Sequence, residues 1–330
     1  MDRNDPSKSY RVLIFTSPKA GSGASREQIP RLESLLEELG IEVHVVHEVA
    51  RLRQLVSDCE QPQRELTTIV VAAGGDGTLS LACATLFLSP QQLNSSVKEK
   101  NNFGNTMVMP MPLGTENLLA RHFGHVADAD SVLDTIQHGQ SFELDAGLAN
   151  GKPFLVMATC GFDAEVVREM HQRRQGHISR FSYFVPMLNA LLRYRFPKLC
   201  LTVDGTEVGK CCWVMSFNLP RYGGGLNIEP DALGDDGLLD VIAFERGSIA
   251  SGLNYVAGIW SGRHLDAEDV IRLRGQTIRV ESKKDVAYQL DGDYGGQLPL
   301  EIETLPGCVP LLIPSSKGQP APDGLSSASG

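Results

Sequence analysis

The sequence predicts an α/β N-terminal domain, built on a doubly wound and mostly parallel sheet, followed by a mostly antiparallel, β-rich C-terminal domain. Three observations carry this. Strand-like apolar runs alternate with helical periodicity as far as about His138. Beyond it, strand-like runs follow one another with few crossovers. The 330 residues also exceed one ordinary domain. The expected boundaries are a tail over 1–9, a first domain over 10–139, a second over 140–313 and a small-residue, Pro-containing tail over 314–330. Return of the last segment of the second domain to the first is an open alternative.

The elements follow in order. Arg11–Thr16 reads as a buried strand, and Ser17–Ser25 as a loop rich in Gly, Ser and Pro. Ile29, Leu32, Leu35, Leu36 and Leu39 then repeat at helical spacing, and Gly40 stops the helix. Ile41–Val46 and Leu66–Ala73 are the next strands, a helix spans Thr78–Phe87, and Thr106–Pro112 is a fourth strand leading through a loop into another helix. In the second domain the expected strands are Phe142–Ala149, Pro153–Thr159, Leu199–Val203, Cys211–Asn218, Leu238–Phe244, Thr277–Glu281 and Ala287–Leu290, interrupted by a helical hairpin over Ala164–Tyr194.

Composition narrows the function. Forty acids against thirty bases leave a net charge of -10, which disfavours a nucleic-acid partner held by bulk charge. Seven cysteines without a CxxC pair point to reduced, mostly buried thiols in a cytoplasmic protein. Met1–Lys8 lacks the apolar run of a signal peptide, and no apolar stretch is long enough to span a bilayer.

Three glycine-containing loops fall at strand C-terminal ends, the edge where such sheets bind ligands. Gly74-Gly75-Asp76-Gly77-Thr78 follows an apolar strand and opens a helix, so its backbone can approach a phosphate and its N–H groups can meet the charge. Asp76 would be repelled by phosphate and should act through Mg²⁺ or a water. Ser17–Ser25, with Lys19, Gly21 and Gly23, and Gly114-Thr115-Glu116-Asn117 follow other strands of the same sheet. The plainer reading of Gly74–Thr78 is a glycine turn with an Asp cap; three glycine loops in sequence favour a nucleotide. None matches the P-loop or the GxGxxG dinucleotide pattern.

GGDGT (74–78), PLGTEN (112–117), GFDAEV (161–166), GGGLNIEPDALGDDGLLDV (223–241) and LDGDYGG (290–296) stand in the order seen in the diacylglycerol kinase catalytic family, which residues 10–313 resemble. GGDGT alone is shared with NAD kinases and phosphofructokinases. The resemblance implies a β-sandwich second domain and a nucleotide in a cleft between the domains. It places the ATP phosphates near Gly74, Gly75, Gly77, Thr78 and Thr115, with Ser17, Lys19, Gly21, Gly23, Glu116 and Asn117 assisting, and the nucleoside near His47 or Glu48. It implies a Mg²⁺ held by the Leu233 and Leu238 carbonyls and the Asp236 carboxylate, whose oxygen ligands suit that ion. It makes Asp293 the general base toward a lipid hydroxyl, with Lys19 and Arg121 as candidates to neutralise charge. The plainer reading of 293–296 is a hairpin turn.

Two departures stand out. Leu118 replaces the usual Asp after Asn117, with Glu116 one step earlier as a substitute, and Asp293 replaces the usual Glu. The expectation is therefore an ATP-dependent lipid kinase. A NAD kinase-like enzyme and a catalytically impaired nucleotide-binding regulator are the alternatives. The lipid would be met from the water side, at the inner face of the membrane, and a homodimer stays open. Over His171–Lys198, arginines flank apolar residues at helical spacing. That stripe reads first as a packing face, although each arginine could add about 1 kcal/mol near anionic lipid.

Overall fold

The computed structural model describes residues 9–17, 24–57, 66–88, 105–172 and 194–315. The chain divides into two compact units, the first comprising 1–82, 103–142 and 310–330, the second 83–102 and 143–309.

The first unit is built on β1 (Ser9–Thr16), α1 (Ala24–Glu38), β2 (Glu42–Val46), α2 (Val49–Ser57), β3 (Leu66–Gly74), α3 (Asp76–Leu86), β4 (Thr106–Pro112), α4 (Leu118–His122) and α5 (Ala129–His138). The strands lie in the order β2-β1-β3-β4, all parallel, and the end of the chain's final strand adds to β4 through Leu311 and Val108. Parallel strands covered on both faces should be apolar throughout, and eight of the nine β3 residues are buried. Ile29, Leu32 and Leu36 of α1 and Val132 and Ile136 of α5 join Val12, Ile14, Ile69 and Val71 in one core. α1 ends as its sequence requires. Gly40, at φ +70°, donates to Glu37 O at 2.9 Å while Ile41 donates to Leu36 O at 3.0 Å, the paired bonds of a Schellman stop. α2 and α5, both short, were not evident in the apolar periodicity.

The second unit contains β5 (Gln140–Ala149), β6 (Lys152–Phe154), β7 (Met157–Cys160), α6 (Phe162–Gln172), β8 (Leu199–Val203), β9 (Thr206–Cys211), β10 (Trp213–Phe217), β11 (Arg221–Tyr222), β12 (Leu226–Asn227), β13 (Leu239–Phe244), α7 (Ile249–Ser261), β14 (Val270–Gly275), β15 (Thr277–Ser282), β16 (Ala287–Leu290), β17 (Asp293–Gln297) and β18 (Leu300–Ile313). A six-stranded antiparallel sheet, β14-β13-β10-β7-β16-β17, faces a second layer containing β18-β15-β8-β9 with β5 and β6. Ala158, Val214, Val241 and Tyr288 of one layer and Leu201, Val280 and Ile302 of the other share a core, so this unit is the β-sandwich that the resemblance implied.

Some strand boundaries differ from expectation. Pro153–Thr159 is not one strand but parts of two. The amides of Leu155, Val156 and Met157 all donate to the Asp291 carboxylate at 2.8–2.9 Å, which leaves Leu155 and Val156 outside a ladder and Met157 at the start of β7. Cys211–Asn218 likewise divides between β9 and β10. Of the stretch expected to form a helical hairpin, Ala164–Tyr194, only residues 164–172, within α6, and Tyr194 are described; residues 173–193 and the tail 316–330 lie outside the described residues. No described helix is long and apolar enough to cross a membrane. The six described cysteines are all unpaired, and four of them are buried.

α5 offers a test of local stability. Its N-cap Asp128 accepts the Ser131 N–H at 2.9 Å and the Ser131 hydroxyl at 2.9 Å, which hold its carboxyl below the usual range. Asp128→Ala should cost about 1 kcal/mol of unfolding free energy at neutral pH, measured in urea. A depressed folded-state pKa contributes stability above the unfolded value and loses it as pH falls through the folded value. The difference between parent and variant should therefore shrink on acidification through that range.

Candidate active site

In the first unit, the loops after β3 and β4 meet backbone to backbone. A Cβ placed on Gly114 would lie 2.5 Å from the Gly75 Cα, and one on Gly74 would lie 2.2 Å from the Thr78 hydroxyl oxygen. Neither position has room for a side chain. Leu113 N–H donates to Gly74 O at 2.8 Å, which extends the β3–β4 register into the loops. α3 begins directly after, with Thr78 and Leu79 donating to Gly75 O at 3.0 and 3.3 Å. Gly77 is exposed and has no atom within 4 Å of a built Cβ, so this face of the turn is open. Glycine-lined backbone at a helix start is suited to an anion.

Asp76 and Asn117 hold this arrangement. The Asp76 carboxylate accepts backbone N–H groups of Leu118, Leu119 and Asn117, so it caps α4 from the neighbouring loop; burial pushes its pKa up, and these donors oppose that. Asn117 adopts left-handed backbone, φ 50°, which Asn tolerates better than most residues. Its side-chain oxygen accepts Gly114 N–H at 3.1 Å and its nitrogen donates to Gly114 O at 2.8 Å. Asn117 was expected among the nucleotide-binding residues and Asp76 to act through Mg²⁺ or a water; the structure shows both bracing the loops. Leu118, where the family has Asp, is buried at the first position of α4. Thr115 is exposed and Glu116 partly so. Arg121 donates to Thr115 O at 3.1 Å. Ser17 is exposed at the end of β1, and His47 Nδ1 lies 3.0 Å from Thr16 O. Lys19, Gly21 and Gly23 lie outside the described residues.

In the second unit, Asp293 is the first residue of β17 and is exposed. The turn before it is Asp291-Gly292, with φ 49° and 87°, as a two-residue type I′ hairpin needs. The turn therefore precedes Asp293 instead of spanning 293–296. Behind it runs a buried polar chain that the sequence reading did not identify. Asp163, of the GFDAEV motif, accepts the Trp213 indole N–H at 2.6 Å, the Tyr222 hydroxyl at 3.1 Å and the Thr159 hydroxyl. Gln289 Nε2 donates to Thr159 Oγ1 at 3.0 Å, and Gly292 N–H donates to Gln289 Oε1 at 2.6 Å. A polar residue inside the strand AYQL, all four residues of which are buried, was the available signal for Gln289.

The residues expected to hold Mg²⁺ are differently engaged. Asp236 Oδ1 accepts Leu238 N–H at 3.0 Å, and Oδ2 is paired with Arg274, whose Nε also reaches Asp240 at 2.9 Å. The neighbouring buried Asp145 accepts Gly237 and Gly307 N–H at 2.7 and 2.6 Å; burial and the charges of Asp236 and Asp235 push its pKa up. A guanidinium thus supplies the positive charge that Mg²⁺ was expected to bring, and the one carboxylate of the expected set is committed to it. Among the described residues no three His, Cys, Asp or Glu side chains form a metal-holding group. Of the expected set, Asp236 is paired with Arg274, while the Leu233 and Leu238 carbonyls are main-chain groups that this absence does not concern.

The capping role of Asp76 is measurable. Asp76→Ala would leave N–H groups at the α4 start without their acceptor and should lower unfolding free energy by about 2 kcal/mol, with a smaller loss for Asp76→Asn. Equal urea midpoints for all three proteins would rule this cap out.

Two family models match the chain in sequence: the diacylglycerol kinase catalytic domain over residues 11–149, and the YegS C-terminal NAD kinase beta sandwich-like domain over residues 156–313. Proteins named diacylglycerol kinase from Staphylococcus aureus strains RF122 / ET3-1 and JH9 are each 25% identical over 307 residues, covering 92% of this chain and 93% of theirs. Two solved structures from Bacillus anthracis str. Sterne, the second named a diacylglycerol kinase, superpose with TM-scores of 0.67 and 0.62 at 19% and 18% identity, over 92% of this chain and 96% of each. These structures share the fold of both units, and the sequence matches run through the glycine loops and the Asp293 hairpin. The chain belongs to the diacylglycerol kinase catalytic-domain family.

Proposed function

We propose that this protein is a lipid kinase that transfers the γ-phosphate of ATP to the hydroxyl of a diacylglycerol-like lipid. The observation that carries the reading is the Gly75–Gly114 approach, a side-chain-free backbone surface at the start of α3 suited to a polyphosphate. Gly74, Gly75, Gly77, Thr78 and Thr115 hold the phosphates, with Ser17, Lys19, Gly21 and Gly23 assisting. Asp76 and Asn117 shape that surface, and Glu116 lies beside it. ATP enters as its Mg²⁺ complex, a substrate in this account.

Asp293 is the general base. It takes the hydroxyl proton as the lipid oxygen bonds to the γ-phosphorus, and the bond from that phosphorus to the bridging oxygen breaks to release ADP. An exposed carboxylate directly after a rigid turn is accessible and held at its backbone, which suits the role. The lipid itself is met at a membrane surface, peripherally.

A second reading is a nucleotide-binding regulator without turnover, favoured by the apolar Leu118 at a family acid position and by the shorter acid at 293. A NAD kinase-like activity is the third. Incubating the protein with MgATP and either total lipid extract or NAD, followed by mass spectrometry, separates all three. A phosphorylated lipid is expected. ATP binding without any phosphorylated product would favour the regulator, and phosphorylated NAD the third reading. Asp293→Asn should lower kcat by about 10²- to 10⁴-fold, the usual worth of general-base catalysis, while ATP binding by calorimetry stays at the parental value. Parental kcat in that variant would remove Asp293 from the mechanism.

A further inference from the structure

The buried chain ending at Gly292 bears on how Asp293 is aimed, and the inference rests on the general-base reading above. As a carboxylate Asp163 can only accept, and it accepts from Trp213, Tyr222 and Thr159. Burial pushes its pKa up, while the Thr159, Trp213 and Tyr222 side chains and the Ala164 N–H oppose that. Thr159 has one hydroxyl proton and directs it to Asp163, so its oxygen must accept from its other neighbour. That neighbour is Gln289, which fixes the amide with Nε2 toward Thr159 and Oε1 toward the hairpin, where it receives Gly292 N–H. Each donor thus determines the next acceptor, and the chain has one direction. Asp163, Thr159 and Gln289 are all buried, Gln289 completely.

The other turn residue is held as firmly. The Asp291 carboxylate accepts three successive amides, Leu155 to Met157. Further along, Gly295 and Gly296 leave room for the Tyr288 ring, and Lys152 Nζ donates to Gly295 O at 2.8 Å. The backbone is therefore tied on both sides of Asp293.

We infer that Gln289 is the positioning residue for Asp293: by clamping Gly292 to the Thr159–Asp163 pair, it fixes the point from which that carboxylate projects. Its importance follows from the shorter acid, which has one rotatable bond fewer than Glu with which to correct a displaced backbone.

The test uses the full chain with MgATP and diacylglycerol in mixed micelles, with thermal melts establishing that each variant folds. Gln289→Leu and Thr159→Val should each lower kcat by about 10-fold or more, since a displaced catalytic group is costly. KM for ATP should stay unchanged, and Thr159→Ser, which keeps the hydroxyl, should retain parental kcat. In single turnover, Gln289→Leu added to Asp293→Asn should cause no further loss. Parental kcat in Gln289→Leu, or the same factor lost in both backgrounds, would overturn the inference. If Gln289→Leu does not fold, the Thr159→Val and Thr159→Ser pair decides: equal kcat in the two overturns it. Parental kcat in Asp293→Asn would instead sink the general-base reading, and this inference with it.

Discussion

The approach of Gly75 to Gly114 governs the first unit's site, because two parallel strands can bring their following loops into backbone contact only where neither carries a side chain at the point of contact. The contact needs more than space. A helix start and a glycine turn both leave N–H groups unsatisfied, and Asp76 reaches from one loop to satisfy those at the start of α4. Asn117 closes the other loop on itself through Gly114. With these two polar side chains turned inward, the exposed face of the turn is left to backbone.

The same device recurs in the second unit. Asp291 accepts the amides of Leu155, Val156 and Met157; Asp145 accepts those of Gly237 and Gly307; Asp204 accepts those of Gln276 and Thr277. Others form ion pairs, as Glu229 and Asp231 do with Arg272 and as Asp236 and Asp240 do with Arg274. Part of the chain's acidic excess is therefore structural: carboxylates stand where backbone N–H groups at turns need strong acceptors. For a protein read as handling phosphate this matters, because a carboxylate already bound to backbone N–H can lie near an anion site without facing it.

Much of the fold was legible because it rests on periodicity. Continuous apolar runs mark the parallel strands β1, β3 and β4, and i, i+3, i+7 spacing marks α1 with its glycine stop. The NG and DG dipeptides at Asn150-Gly151, Asp204-Gly205 and Asp291-Gly292 each sit at positive φ between paired strands, a local signal available in the sequence. Less legible were the strand breaks at Leu155–Val156 and at Cys212. The residues there are as apolar as their neighbours, and the first break is set by Asp291, far along the chain.

The sequence by itself determined the strands and helices of strongest periodicity, the positions of the glycine turns and the family, since each depends on residue types at short spacing. Tertiary structure alone decided what the acidic and amide side chains do. Asp76 caps a helix in another loop, Arg274 holds the carboxylate expected to bind a metal, and Gln289 joins Thr159 to Gly292. A hydrogen bond depends on distance and direction between groups remote in the chain, and residue spacing carries neither.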